Sequence, residues 1–402
     1  MPKLIDIFWI FLKLGCTSFG GPAAHLIFFK QKFVNHQHWL NEQQYAQLLA
    51  LTQLLPGPSS SQMGMAIGYL KRGYLGAIVA WLGFTLPSAL MMFALAYFIQ
   101  QQDIVHSTLF SAIQSIVFAI VLFAFWQMFK SYCQTKLQYF LMCLSSVLLL
   151  LFSNSWMQFA IILSSALLGI LVHKAMSTQQ PTPHIQHQAQ LSSTLFASRL
   201  HHHSIFWLMI FILIFIGLWL TSFFLHSSWS MTSFNFYKTG ALVFGGGHVV
   251  LPMLYQDFVH TGMISQQRFE LGYTLAQFMP GPLFSFASYI GSFLPLSPLP
   301  FFNALLTTLL IFLPSFFFIF TALSYWEKLV SNPYIQSSVT LINAAVVGFL
   351  LSILVPMAEK SLSNLQDFFS ALLMLCSLKL NISIFISVPL ILLLRYLHNA
   401  LT

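Results

Sequence analysis

The sequence predicts an all-α polytopic membrane protein with about 13 transmembrane helices, built as two inverted-topology repeats with broken helices. Three observations carry that expectation. Of 402 residues 57% are apolar and 6% are charged. Soluble domains carry about 25% charged residues, so a water-facing surface cannot be assembled here. The apolar runs are long and lack the alternation of barrel strands, so the backbone must satisfy itself as helices. Finally, one set of Gly- and Pro-bearing motifs occurs twice.

In chain order, spans are expected at about 4–28, 44–69, 74–99, 107–129, 137–152, 157–173, 204–226, 235–256, 268–294, 299–325, 334–356, 363–378 and 380–397. Four of these, at 137–152, 157–173, 363–378 and 380–397, are short and suit tight helical hairpins. Residues 174–203 are rich in Gln, Ser, Pro and His and read as an aqueous linker. The organisation expected is a first repeat at 1–173, a linker plus spacer helix at 174–231, and a second repeat at 232–402.

Loop charges set orientation. With the amino terminus inside, Lys3, Lys71, Arg72, Lys130, Lys136, Lys174, Arg199, Arg268, Lys328 and Lys379 are cytoplasmic, against Lys30, Lys32, Lys360 and Arg395 outside. The bias favours a cytoplasmic amino terminus. Re-entrant hairpins in place of the first two motif-bearing spans would bring Lys30 and Lys32 inside and leave the later parity unchanged. The net charge of +8 is scattered over loops and does not point to nucleic acid. Cys16, Cys133, Cys143 and Cys376 have no CxxC spacing, so neither a disulfide framework nor a zinc site is indicated. No cleavable signal peptide is evident.

The repeat is the most informative feature. Lys13-Leu14-Gly15, Phe19-Gly20-Gly21, Gln53-Leu54-Leu55-Pro56-Gly57-Pro58 and Leu86-Pro87-Ser88 return as Lys238-Thr239-Gly240, Phe244-Gly245-Gly246, Gln277-Phe278-Met279-Pro280-Gly281-Pro282 and Leu313-Pro314-Ser315. The copies begin at the first and eighth spans and would therefore enter the membrane from opposite sides. That is a signature of secondary transporters.

Pro-Gly-Pro removes backbone donors and breaks a helix, which hydrocarbon tolerates only where protein or a wet cavity satisfies the freed groups. A half-helix starting after Pro58 would present free N–H groups beside Ser59, Ser60 and Ser61 and suits an anion; the break at Pro280, Gly281 and Pro282 has fewer hydroxyls. A purely structural kink is the competing reading. Gly20, Gly21, Gly245 and Gly246 fit equally a close helix approach or an unwound turn.

Lys13 would lie roughly 13 Å deep at about 1.5 Å per residue. An unpaired charge there costs at least about 2.5 kcal/mol. With Lys238 at the matched place, two cations converging on one anion is the reading that follows, against snorkelling of each to its own interface. Gln53 and Gln277 could donate to a substrate oxygen or bond between helices. His25 and His248 are out of register, so each reads as a lone satisfied histidine, and Glu42 and Glu270 read as solvated. His184, His187 and His201 to His203 are at best a weak metal site. Walker, GxSxG and HExxH motifs are missing, so neither an enzyme nor a cofactor is expected.

The chain resembles the chromate ion transporter family in its long, two-domain form. The resemblance rests on residues 11–26 (FLKLGCTSFGGPAAHL), 54–62 (LLPGPSSSQ), Ile67-Gly68-Tyr69 with Arg72-Gly73, residues 244–252 (FGGGHVVLP) and Met279-Pro280-Gly281-Pro282. Position 59 is Ser where the family often carries Asn, and the linker is unusually His-rich. The resemblance implies secondary active export of chromate, or a similar tetrahedral oxyanion, from the bacterial cytoplasm across the inner membrane, giving chromate resistance. Transport of sulfate or another anion, and a non-transporting scaffold or sensor, are the alternatives. Partners would be the anion and the bilayer, with a monomer or a homodimer both compatible with such a chain.

Overall fold

The computed structural model describes residues 2–101, 109–152, 155–176, 204–362, 364–380 and 382–401, and all regular elements among them are helical. Most of the expected linker, with His184, His187 and His201 to His203, lies outside the described residues. In order, α1 is Leu4–Thr17, α2 Gly21–Lys30, α3 Glu42–Leu54, α4 Ser59–Gln101, α5 Leu109–Tyr132, α6 Lys136–Leu151, α7 Ser155–Met176 and α8 Ser204–Leu225. The second half continues with α9 Ser228–Leu242, α10 Val250–Leu254, α11 Gln266–Phe278, α12 Phe286–Phe293, α13 Pro300–Ala322, α14 Trp326–Ser331, α15 Pro333–Ser361, α16 Leu365–Lys379 and α17 Ile384–Leu401. Among the described residues, six helices are long and apolar enough to cross a bilayer: α4, α5, α7, α8, α13 and α15.

Four expected spans are not continuous helices. The segments at 4–28, 44–69, 235–256 and 268–294 are each interrupted, and the motif glycines are the cause. Gly20 and Gly21 take φ of +96° and +76°, and Gly245 and Gly246 take +78° and +122°. L side chains rarely adopt this region, so Phe-Gly-Gly is an unwound turn in both halves. Gly57 and Gly281, at +117° and +93°, sit inside the Pro-Gly-Pro breaks. α4 is itself interrupted at Arg72 and Gly73.

The broken segments are hairpins. Arg72 Nε donates to the Pro2 carbonyl at 2.7 Å, and Lys71 Nζ donates to the Trp39 carbonyl at 2.6 Å. The chain therefore enters along α1, returns along α2, enters along α3 and returns along the first part of α4, always to one end of the bundle. Lys30 and Glu42, 2.8 Å apart, bridge the turn between the two hairpins. This places Lys30 and Lys32 at the amino-terminal end, as re-entrant hairpins require. The far end of α4 meets the end of α12, where Gln100 Nε2 donates to the Ser292 carbonyl at 2.8 Å.

Matched aromatic pairs clamp the first hairpin of each half. Phe11 on α1 stacks on Phe33 beyond α2 with ring centres 5.0 Å apart, and Phe236 on α9 meets Phe258 beyond α10 at 4.8 Å. All four rings are fully buried, and each such pair contributes about 0.5–1.5 kcal/mol beyond its area. The second hairpins start on matched caps: Asn41 Oδ1 accepts from the Gln44 N–H, and Ser265 Oγ accepts from the Arg268 N–H. The glycine of each Lys-x-Gly motif permits helix contact. A Cβ on Gly15 would lie 2.6 Å from the Phe84 carbonyl oxygen of α4, and one on Gly240 would strike the Ile311 carbonyl of α13.

The last helices are exchanged between halves. α6 and α7 pack on α15, while α16 and α17 pack on α5. Ser145 Oγ donates to the Ala345 carbonyl at 2.7 Å, and a Cβ on Gly348 would strike Ser145. At the opposite end from Pro2, Arg395 pairs with Asp367 at 2.7 Å, and Ser115 Oγ donates to the Ser361 carbonyl at 2.9 Å. The four cysteines are free.

Candidate functional site

Two backbone hydrogen bonds join the breaks crosswise. The Gly57 N–H donates to the Val243 carbonyl at 2.7 Å, and the Gly281 N–H donates to the Ser18 carbonyl at 2.9 Å. Val243 and Ser18 immediately precede the Phe-Gly-Gly turns. The Pro-Gly-Pro break of each half is thus bonded to the Phe-Gly-Gly break of the other. The Leu-Pro-Ser motifs complete the junction: a Cβ on Gly57 would lie 2.7 Å from Ser315 Oγ, and one on Gly281 2.9 Å from Ser88 Oγ.

A cavity of about 450 Å³ opens against this junction. The first half contributes Gly20, Gly21, Gln53, Gly57 and Ser59 to its lining, and the second contributes Gly245, Gly246, His248 and Gln277. Phe123, Gln127 and Tyr132 of α5 form one wall, with Leu378 and Ile384 from the turn between α16 and α17. The structure therefore brings Gln53 and Gln277, read from matched positions, into one space. Among the described residues, the lining includes no Lys, Arg, Asp or Glu.

Neutral donors lie at the cavity wall and just behind it. The first bond of α4 runs from the Gln62 N–H to the Pro58 carbonyl, 2.9 Å, which leaves the N–H groups of Ser59, Ser60 and Ser61 outside the helical ladder. Gln277 Nε2 is buried and has no hydrogen-bond partner among the described residues. His248 Nδ1 lies 2.9 Å from the Tyr273 hydroxyl, and the Tyr132 hydroxyl donates to the Gly245 carbonyl at 3.3 Å. Oriented N–H groups at helix starts and amide donors are suited to an oxyanion.

Other expected site residues stand behind this lining. Pro56, Pro58, Ser60, Ser61, Pro280, Gly281 and Pro282 shape the breaks without facing the cavity. Gln62 Nε2 donates to the Pro56 carbonyl at 2.6 Å, bracing the turn from inside. Ser60 Oγ meets His25 Nδ1 at 3.3 Å, and His25 Nε2 reaches the Ser18 carbonyl at 3.1 Å. His25 is a satisfied buried histidine, as expected; His248 differs, because it lines the cavity.

The two lysines do not converge. Lys238 is buried, but its Nζ is 2.8 Å from Asp257 Oδ1 and 3.3 Å from Asn235 Oδ1, with side chains 4% and 0% exposed for the Lys–Asp pair. Lys13 lies on an exposed position of α1. Neither lines the cavity. The physical reason is local: a buried lysine finds the nearest carboxylate, and only the second copy supplies one. Glu270 likewise is buried rather than solvated, accepting from Gln114 Nε2 at 2.9 Å and Gln266 Nε2 at 2.6 Å.

Sequence reasoning missed Gln127, Tyr132 and the cavity-facing position of His248. The α5 residues belong to an unbroken apolar span and carried no local signal. His248 carries no repeat signal, because it does not match His25 in register.

Comparison with known proteins matches the chain in two separate segments. A family model for chromate transporters matches residues 5–170 and again 229–398. A probable chromate transport protein of Synechococcus elongatus is 27% identical over 376 residues, covering 91% of this chain and 88% of its own. The chromate transport protein of Pseudomonas aeruginosa is 25% identical over 377 residues, 88% of this chain and 81% of its own. An uncharacterized transporter of Methanocaldococcus jannaschii is 25% identical over 360 residues, 89% and 85% respectively. No solved structure matches the chain. Matched by the family model along most of its length, once in each half, this chain belongs to the chromate transporter family.

Proposed function

We propose that this protein is a secondary active exporter of chromate or a similar tetrahedral oxyanion, and that the anion sits in the cavity between the crossed breaks. The observation that carries the reading is the pairing of Gly57 with Val243 and of Gly281 with Ser18 beside a cavity of neutral donors. Broken helices at the interface of two repeats are where transporters of this architecture hold substrate.

The two units, 1–173 and 232–402, are read as inverted copies joined by the linker and spacer helix at 174–231. Contacts support this. First-half hairpins return to the end that holds Pro2, Trp39, Lys71 and Arg72; the far end of α4 and the return arm of the second half meet at Gln100 and Ser292. Lys3, Lys30, Lys32, Lys71, Arg72, Lys130, Lys136, Lys174 and Lys328 then gather at the amino-terminal end, while Arg268 moves to the other. By the positive-inside rule that end is cytoplasmic, in the inner membrane of a bacterium. The lining from α5 comes from its carboxyl-terminal half, so the cavity lies toward that cytoplasmic end.

Export follows energetically. Each net negative charge leaving a negative cytoplasm gains about 2.3 kcal/mol per ~100 mV of potential, so the anion is driven outward with or without one accompanying proton. The test is flux of labelled chromate and sulfate into inverted vesicles holding the purified protein, with pH gradient and potential imposed separately. Uptake of chromate driven by either gradient is the expected result; sulfate competing without being carried would assign chromate as the substrate. Failure of both anions to move under either gradient would sink the proposal.

A further inference from the structure

We infer that His248 is the proton-linked anion-binding residue of the cavity: the site takes a dianion together with a proton carried by His248. This rests on the reading above that the cavity holds a tetrahedral oxyanion.

A dianion moved into a confined site loses its hydration, and neutral donors return only part of it. A positive charge at the wall would supply the rest, yet among the described residues no Lys or Arg lines the cavity. Of the described lining residues only His248 can become positive by taking up a proton, since a tyrosine can only become negative. Histidine is the side chain whose ordinary charge change falls between about pH 5 and 8.

Geometry suits His248 to both charge states. Its Nδ1 faces the Tyr273 hydroxyl at 2.9 Å. A hydroxyl donates to a neutral ring nitrogen and accepts from a protonated one, so Tyr273 serves either state without rearrangement. Nε2 has no described partner and remains for the cavity. The ring also sits on the first turn after Gly246, in the 3-10 turn Gly247–Val249, and Gln277 lines the same cavity.

The surrounding charges are already committed. On α11, Tyr273 faces the ring, and Glu270 one turn earlier is held by Gln114 and Gln266. Beyond α10, Asp257 is paired with Lys238. From α2, Pro22 approaches Gly247, and His25 is closed onto Ser18 and Ser60. α15 presents neutral Asn343 beside Gly245, and α5 presents Tyr132, whose hydroxyl is bonded to the Gly245 carbonyl. Protonation of His248 is therefore the change that gives the cavity a cation.

The test uses the purified full chain and sulfate, which stays a dianion throughout the histidine range of about pH 5 to 8, unlike chromate, which takes up its own proton there. Sulfate affinity is expected to weaken as pH rises, approaching tenfold per pH unit above the histidine range, about the limit for one linked proton. Sulfate added in weak buffer at that pH is expected to draw close to one proton per anion bound. His248→Gln, which keeps a donor toward Tyr273, should bind weakly and with no pH slope. The proton-uptake arm needs no variant, so a misfolded mutant does not blunt the test. Affinity independent of pH with no uptake, or a His248→Gln variant that keeps the wild-type slope, overturns the inference while leaving the transport reading intact. Wild-type protein that binds neither sulfate nor chromate at any pH overturns both.

Discussion

Replacing Gly57 by alanine probes the crossed junction most directly. The position has φ +117°, where a side chain costs about 1–2 kcal/mol. The added Cβ would also lie 2.7 Å from both Ser315 Oγ and Gln62 Nε2. Gln62 holds the Pro56 carbonyl at 2.6 Å, and displacing it loses a buried hydrogen bond worth about 0.5–1.5 kcal/mol. The expected destabilisation is about 1.5–3.5 kcal/mol. Gly21→Ala is the control: φ is +76°, but no atom lies within 4 Å of its Cβ, so it should cost only the backbone part, about 1–2 kcal/mol. Thermal unfolding in detergent, with anion flux alongside, measures both. Ser315→Ala on its own removes only a long 3.5 Å contact to Gln62, yet it should relieve part of the Gly57→Ala penalty, giving a coupling of at least about 0.5 kcal/mol. If Gly57→Ala is no worse than Gly21→Ala, or Ser315→Ala gives no relief, the junction is not packed as described.

Lys238→Met should destabilise by about 3–5 kcal/mol because it leaves the Asp257 carboxylate buried without its cation, and Lys238→Met with Asp257→Leu should recover most of that in the same unfolding assay. Gln53→Ala and Gln277→Ala should each lower oxyanion flux severalfold while leaving the unfolding midpoint near wild type, since both residues line the cavity; unchanged flux in both would remove them from the site. Gln43 and Gln267 are exposed at matched starts of the second hairpins. In a cysteine-free background, Gln43→Cys and Gln267→Cys should react with an impermeant maleimide from opposite faces of the membrane, and labelling from one face would refute the inverted arrangement.

Local chemistry is what made the breaks legible. Pro56-Gly57-Pro58 cannot continue a helix in any surroundings, so its effect needs no knowledge of the fold. Hydropathy alone cannot separate a continuous span from two half-helices of the same composition, and residues 4–28 are apolar either way. The distinction lies in Arg72 reaching Pro2 and in Phe11 meeting Phe33, contacts between positions far apart in the chain. The crossed bonds from Gly57 to Val243 and from Gly281 to Ser18 are tertiary in the same sense. The repeat placed both partners in view, but nothing in either copy alone says that the pairing runs between copies.

The lysines show where a repeat misleads. Lys13 and Lys238 match in type and position, but their surroundings diverge: the residue 225 positions before Asp257 is Lys32. Where the second copy offers a carboxylate, the first offers another cation, and a matched charge without a matched counter-charge cannot play a matched role. The second-half lysine is consumed in an internal pair, and the first-half lysine is left outward. In the proposed mechanism this absence from the cavity has a consequence. A dianion clamped between two fixed ammonium groups would enter readily and leave slowly. Transport needs binding that is strong enough to load and weak enough to release. Backbone N–H groups, two amides and a histidine whose charge comes and goes meet that demand, and because each half supplies part of the set, separating the halves at one face weakens the hold on the anion at the moment it must depart.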